Sequence, residues 1–149
     1  MATGTTTADP ATVHRLLRAG ATWPEWSPLG SFELERAAPG DDSEGVGAIR
    51  VFRTGRVASR EEIVELVPER RLSHALLSGL PLRDYRADID LEPGGAGGTR
   101  IRWRSTFHAK VPGTGWIYRI ALGRFIGRTV DGLVARTSAR DGAARPVAA

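Results

Sequence analysis

Arg100-Ile101-Arg102-Trp103-Arg104-Ser105-Thr106-Phe107 alternates: Ile101, Trp103 and Phe107 fall on one side of an extended chain, and Arg100, Arg102 and Arg104 on the other. Successive side chains of a strand point to opposite faces, so this stretch reads as a strand with one dry face and one wet face. Past Pro112-Gly113 the period changes. Trp116, Ile117, Ile120, Ala121, Phe125, Val130, Leu133 and Val134 recur at spacings of three and four, with Arg119, Arg124, Arg128 and Asp131 between them. That is a long amphipathic helix. Its glycines, Gly123, Gly127 and Gly132, lower helix propensity and point to close packing or a bend. A half-apolar strand followed by a long helix poses the problem that the remaining chain must solve, because the apolar face has to be covered and this helix is the only element long enough to do it.

Upstream, the period-two pattern repeats over residues 31–37, 47–53, 57–67, 71–78, 82–91 and 99–110. The breaks fall at Pro39-Gly40-Asp41-Asp42, Thr54-Gly55, Pro68-Glu69, Gly79-Leu80-Pro81 and the glycine run after Pro93. Connections this short join antiparallel neighbours. In the fifth segment Tyr85, Ala87, Ile89 and Leu91 alternate with Asp84, Arg86, Asp88 and Asp90, an acidic outer row placed to pair with the arginine row of the sixth. Before the strands, Asp9-Pro10 opens a short helix with a capping carboxylate and a proline at the first position, and Gly20 ends it. Thr22-Trp23-Pro24-Glu25-Trp26-Ser27-Pro28 has room for one further helical turn, and residues 2–7 for a short first strand without large hydrophobes.

The 149 residues, 41% of them hydrophobic, make one domain with room for a core or for a core with a hole in it. Residues 1–137 are expected to form that domain and 138–149 a flexible tail. With no Cys there is no disulfide framework, thiolate metal site or cysteine nucleophile, and residence in the cytoplasm is the expectation. No apolar run is long enough to span a bilayer. The three histidines, His14, His74 and His108, have no ligand spacing, so no metal is expected. Lys110 is the only lysine among 21 basic residues, which reflects compositional bias, and the net charge of +4 is too modest to favour nucleic acid.

The order of these pieces resembles the START-like, helix-grip superfamily, also called SRPBCC, which includes Bet v 1-like proteins and bacterial polyketide cyclase/dehydrase-type proteins. The resemblance rests on Thr22-Trp23-Pro24-Glu25-Trp26-Ser27, Gly45-Val46-Gly47-Ala48-Ile49-Arg50, Arg60-Glu61-Glu62-Ile63-Val64-Glu65, Gly79-Leu80-Pro81-Leu82-Arg83-Asp84-Tyr85, Gly98-Thr99-Arg100-Ile101-Arg102-Trp103 and Pro112-Gly113-Thr114-Gly115-Trp116. It implies an α+β fold in which a curved antiparallel sheet of six to seven strands wraps a long C-terminal helix, with two short helices after the first strand. It also implies a cavity for a polyketide, lipid or aromatic ring compound, with cyclase or dehydratase chemistry in some members and no fixed catalytic set; no cofactor is expected. The weak first strand is the one departure from that pattern.

Within such a cavity, Arg50 is in phase with Phe52, and a buried guanidinium paired to Glu62 across the Thr54-Gly55 hairpin would hold a ligand carboxylate or enolate. The alternative is a purely structural ion pair. His74, in phase with Leu72 and Leu76, is either a core histidine or a group facing the ligand. For cyclisation, His74 or Glu62 would be the base, Tyr85 the proton donor and Arg50 the oxyanion stabiliser. Trp23, Trp26, Phe52, Leu76, Leu80, Trp103, Phe107, Trp116 and Ile120 are the expected lining. Two other classes compete: a nucleic-acid module using the arginine row, and transient membrane-surface contact through Trp23, Trp26 and Leu80-Pro81. The partner expected is a hydrophobic small molecule, with the protein a monomer or homodimer.

Overall fold

The computed structural model describes residues 1–144, with side chains to residue 138. In chain order the elements are β1 (Ala2–Thr6), α1 (Pro10–Arg18), a 3-10 turn, α2 (Trp23–Trp26), β2 (Ser31–Arg36), β3 (Ile49–Thr54), β4 (Val57–Val67), β5 (Arg71–Ser78), β6 (Leu82–Pro93), β7 (Thr99–Ala109) and α3 (Gly115–Ala144). All seven strands form one antiparallel sheet in the order β1-β7-β6-β5-β4-β3-β2. The expected helix-grip architecture is the one observed. Helix α3 runs past the boundary expected at residue 137, and residues 145–149 of the expected tail lie outside the described residues.

Local chemistry accounts for the small elements. The Asp9 carboxylate accepts the Thr12 N–H at 2.8 Å and Pro10 occupies the first turn of α1. Its inner face buries Val13, Leu16 and Leu17. Register shifts in β2, in the β4–β5 ladder and in β6, where Asp84 has φ 52°, add local twist and bend the sheet.

Strand β1 is complete, pairing from Ala2↔Trp103 to Thr6↔Thr99. Its lack of large side chains has a packing reason. A Cβ on Gly4 would come within 2.8 Å of Val130 Cγ1 on α3, so a small residue lets the helix approach the sheet here. The Thr6 and Thr137 hydroxyls meet at 2.7 Å and fasten the same edge. Helix α3 therefore lies chiefly over β1 and β7, and the concave face of β3–β6 is left open beneath its first turns.

Outside, the two charged rows pair as their alternation predicts. Asp88 stands opposite Arg104 and Asp90 opposite Arg102, with Arg104 3.6 Å and Arg71 2.6 Å from Asp90.

Candidate functional site

The space beneath α3 is a cavity of about 390 Å³. Each element contributes through the face its period turns inward: Phe52 from β3, Ser59 and Glu61 from β4, His74 and Leu76 from β5, Leu82 and Tyr85 from β6, and Trp103 from β7. Trp23 closes the floor, and Tyr118, Leu122, Phe125 and Ile126 of α3 form the roof. Leu29 and Leu80, in the connections before β2 and β6, and Val57, the first residue of β4, complete the lining. The walls are mainly aromatic. Trp23 lies 5.2 Å from Phe52 and 5.8 Å from Trp103, ring centre to ring centre. A more open groove of about 580 Å³ between α1, residues 42–44 and residues 66–69 is bridged by the Arg18–Asp42 ion pair.

One part of the cavity wall is polar. His74, fully buried, places Nε2 3.6 Å from Glu61 Oε2 and stacks on Tyr85 at 6.2 Å. Burial holds the His74 pKa below the usual imidazole value and the Arg50 charge adds to that, against the opposing pull of Glu61 and Asp88. The imidazole is therefore neutral at pH 7. Burial, and then the Glu61 charge, push the Tyr85 phenol upward, so it remains protonated. Among the side chains that line the cavity, His74 Nδ1, Glu61 Oε2 and Trp103 Nε1 are buried without a hydrogen-bond partner. A neutral imidazole, a carboxylate and a protonated phenol beside an apolar space can accept, hold and return a proton.

Several expected residues lie elsewhere. Glu62 is not in the cavity. It points to the outer face, 3.5 Å from Arg36, and Glu61 faces inward opposite Arg50. Counting outward from the tight turn at Gly55-Arg56 pairs Phe52 with Ser59 and Arg50 with Glu61, so the hairpin register was the signal that identifies the inner carboxylate.

Arg50 is fully buried but sits behind the floor. Its Nη1 donates to the Leu17 carbonyl at 3.0 Å, in the last turn of α1, and its guanidinium lies 4.9 Å from the Trp23 ring centre. Burial lowers its pKa while Glu61 and Glu44 draw it back.

Of the expected lining, Trp23, Phe52, Leu76, Leu80 and Trp103 are in place. Trp26 packs behind Trp23 at 4.8 Å, with Nε1 donating to Thr22 Oγ1. Phe107 stacks on the far side of Tyr85 at 6.5 Å and lines a separate recess. Trp116 and Ile120 face solvent, 64% and 51% exposed. The competing membrane-contact reading needs Trp23 and Trp26 exposed, and both are buried, at 2% and 6% exposure. Glu61, Tyr118, Leu122 and Phe125 were not anticipated as lining.

His14 Nε2 meets the Arg71 carbonyl at 3.2 Å, and no group of three metal-ligating side chains occurs among the described residues. No helix among them is long and apolar enough to cross a membrane.

Sheet, helix and enclosed space together define a helix-grip protein of the START-like class. Residues 2–138 match the family described as polyketide cyclase/dehydrase and lipid transport, and the chain belongs to that family. No curated protein matches it in sequence. Among solved structures it is similar to a START superfamily protein from Mycobacterium smegmatis, with TM-score 0.78 and 12% identity over 91% of this chain and 93% of that one. It is also similar to a protein from Thermobifida fusca, with TM-score 0.73 and 22% identity over 91% and 89% of the two chains. A third likeness is to Ara h 8.0201, with TM-score 0.69 and 16% identity over 91% and 93%. The family supports binding of a hydrophobic ligand in general terms.

Proposed function

We propose that the protein binds a flat, mainly apolar ring compound in the cavity between the sheet and α3, with one polar group of the ligand set against His74 and Glu61. The observation that carries this reading is the pairing of aromatic walls with a single polar patch in a space of about 390 Å³, within the range of small-molecule sites. Trp23, Phe52 and Trp103 offer faces and edges for stacking. Calorimetric titration with a panel of polycyclic phenols and ketones tests it. Binding that Leu76→Trp abolishes without unfolding the protein is the expected result, and no binding across the panel by the ligand-free protein overturns it.

A second reading is turnover of polyketide cyclase or dehydratase type, and the orphaned atoms His74 Nδ1 and Glu61 Oε2 favour it. In this reading the His74–Glu61 pair takes a proton from an enolisable carbon, and Tyr85 donates one to the carbonyl oxygen or departing hydroxyl. Arg50, placed behind the floor, supports Glu61 by charge and does not touch the ligand. Product formation by wild type and its loss in His74→Ala and Glu61→Gln, with ligand binding weakened but still measurable, is the expected pattern. Binding without product in all three leaves a carrier.

A further inference from the structure

The first turns of α3 carry an apolar surface that the cavity does not use. Trp116, Ile117 and Ile120 are 64%, 47% and 51% exposed, and Val111 in the preceding turn is 53% exposed. Residues at these spacings share one face of a helix. A soluble surface scatters large hydrophobes singly, so three on one helix face mark a contact site.

Its surroundings say what kind. The sequence holds no Asp or Glu between Pro93 and Val130, and Lys110, Arg119 and Arg124 fall in this stretch. Among the described residues none of these three cations forms an ion pair, whereas Arg102 and Arg104 lower on β7 reach Glu92 and Asp90. Among the described residues Arg83, opposite His108 on β6, is likewise without an ion pair. The positive end of the α3 dipole adds to the same field. An apolar face on a stretch whose cations are without ion pairs repels a second copy of itself and complements a surface that is apolar beneath and anionic on top.

We propose that this face docks onto membranes rich in anionic phospholipid, with Trp116, Ile117 and Ile120 entering the headgroup–acyl boundary and Lys110, Arg119 and Arg83 resting on the phosphates. The position gives docking a purpose, a step that rests on the ligand reading above. Tyr118 and Ala121 on the same turns line the cavity, and so does Leu80, whose neighbour Pro81 accepts the Lys110 N–H at 3.1 Å. A docked molecule would set its cavity mouth against the lipid, and an apolar ligand would pass between bilayer and protein without crossing water.

The test is sedimentation of the full chain with vesicles of phosphatidylcholine alone and of phosphatidylcholine mixed with phosphatidylglycerol, read also by tryptophan emission. Trp23, Trp26 and Trp103 are already buried, so a blue shift on binding reports Trp116. Binding to the anionic vesicles alone, weakened by salt, is expected. Trp116→Ala should weaken it about tenfold, and Lys110→Glu with Arg119→Glu about 30-fold or more.

Three results overturn the proposal: no binding to anionic vesicles at low salt, undiminished binding by these variants, or a wild-type dimer that Trp116→Ala dissolves. Uptake of aminoanthracene, a neutral apolar fluorophore, measured without vesicles keeps the two readings apart. Vesicle binding with no uptake supports the docking and overturns the ligand reading. Uptake with no vesicle binding overturns the docking alone.

Discussion

His74 is the residue whose surroundings are most legible as chemistry, because every group facing it moves its proton equilibrium in a known direction. Arg50 lowers its pKa and Glu61 raises it. Arg50→Met should therefore let His74 titrate at higher pH and Glu61→Gln at lower pH, as read from the imidazole carbon-bound proton resonance; shifts of the opposite sign would remove Glu61 from the site. The same burial makes stability depend on pH. The folded pKa lies below the ordinary 6.5, so as pH falls the unfolded chain takes up the proton first. The contribution of a neutral His74 is whole above about 6.5 and is lost as pH falls from there through the folded value, at up to about 1.4 kcal/mol per pH unit. His14 shares this direction, so urea denaturation across that window should show His74→Phe with a flatter slope than wild type. The sequence placed a histidine and a carboxylate in the cavity as alternative bases, and it missed which carboxylate. Glu61 and Glu62 are chemically identical, and only the hairpin register, which composition does not reveal, turns one in and the other out.

Among the elements, α3 is where sequence reading succeeded in kind and failed in phase. Its first turns, Trp116-Ile117-Tyr118-Arg119-Ile120-Ala121-Leu122, are apolar almost all round, so a period of 3.6 marks a helix without marking its inner side. The true inner face runs through Leu122, Phe125, Ile126, Thr129, Val130, Leu133 and Thr137. Two of these are threonines, which periodicity counts as polar. They sit in the core because each hydroxyl donates to the carbonyl four residues back, Phe125 and Leu133, both at 2.8 Å. The glycines of α3 separate packing from propensity. A Cβ on Gly132 would meet the Trp26 carbonyl oxygen, while one on Gly123 meets open space. Gly132→Ala should cost about 2–4 kcal/mol despite its better helix propensity, and Gly123→Ala should gain about 0.5–1 kcal/mol. Thermal unfolding of the two variants decides the matter. A stabilising Gly132→Ala would mean that α3 does not rest on α2 as described.

For the whole molecule, the hollow follows from a mismatch of shapes. The sheet is bent by its bulges, the helix is held to one edge by the small residues of β1, and the region between them is too wide for side chains to fill. Sequence could supply the order of elements and hence the existence of the hollow. Its width depends on where α3 rests, and that is decided by Gly4 and by the Thr6–Thr137 contact, which join residues far apart in the chain. An apolar space left open forgoes dispersion contacts that a guest would restore. A ligand that enters the native state alone should therefore raise stability by about 2.7 kcal/mol at a hundred times its dissociation constant, or roughly 5–10 °C in Tm for a chain of this size. Leu76→Trp should keep or raise the Tm of the ligand-free protein, because the new ring occupies space already there, and should erase the ligand-dependent rise. If Leu76→Trp unfolds the protein, the space is not open in solution. If the full ligand shift survives the substitution, the guest is held somewhere other than between sheet and helix.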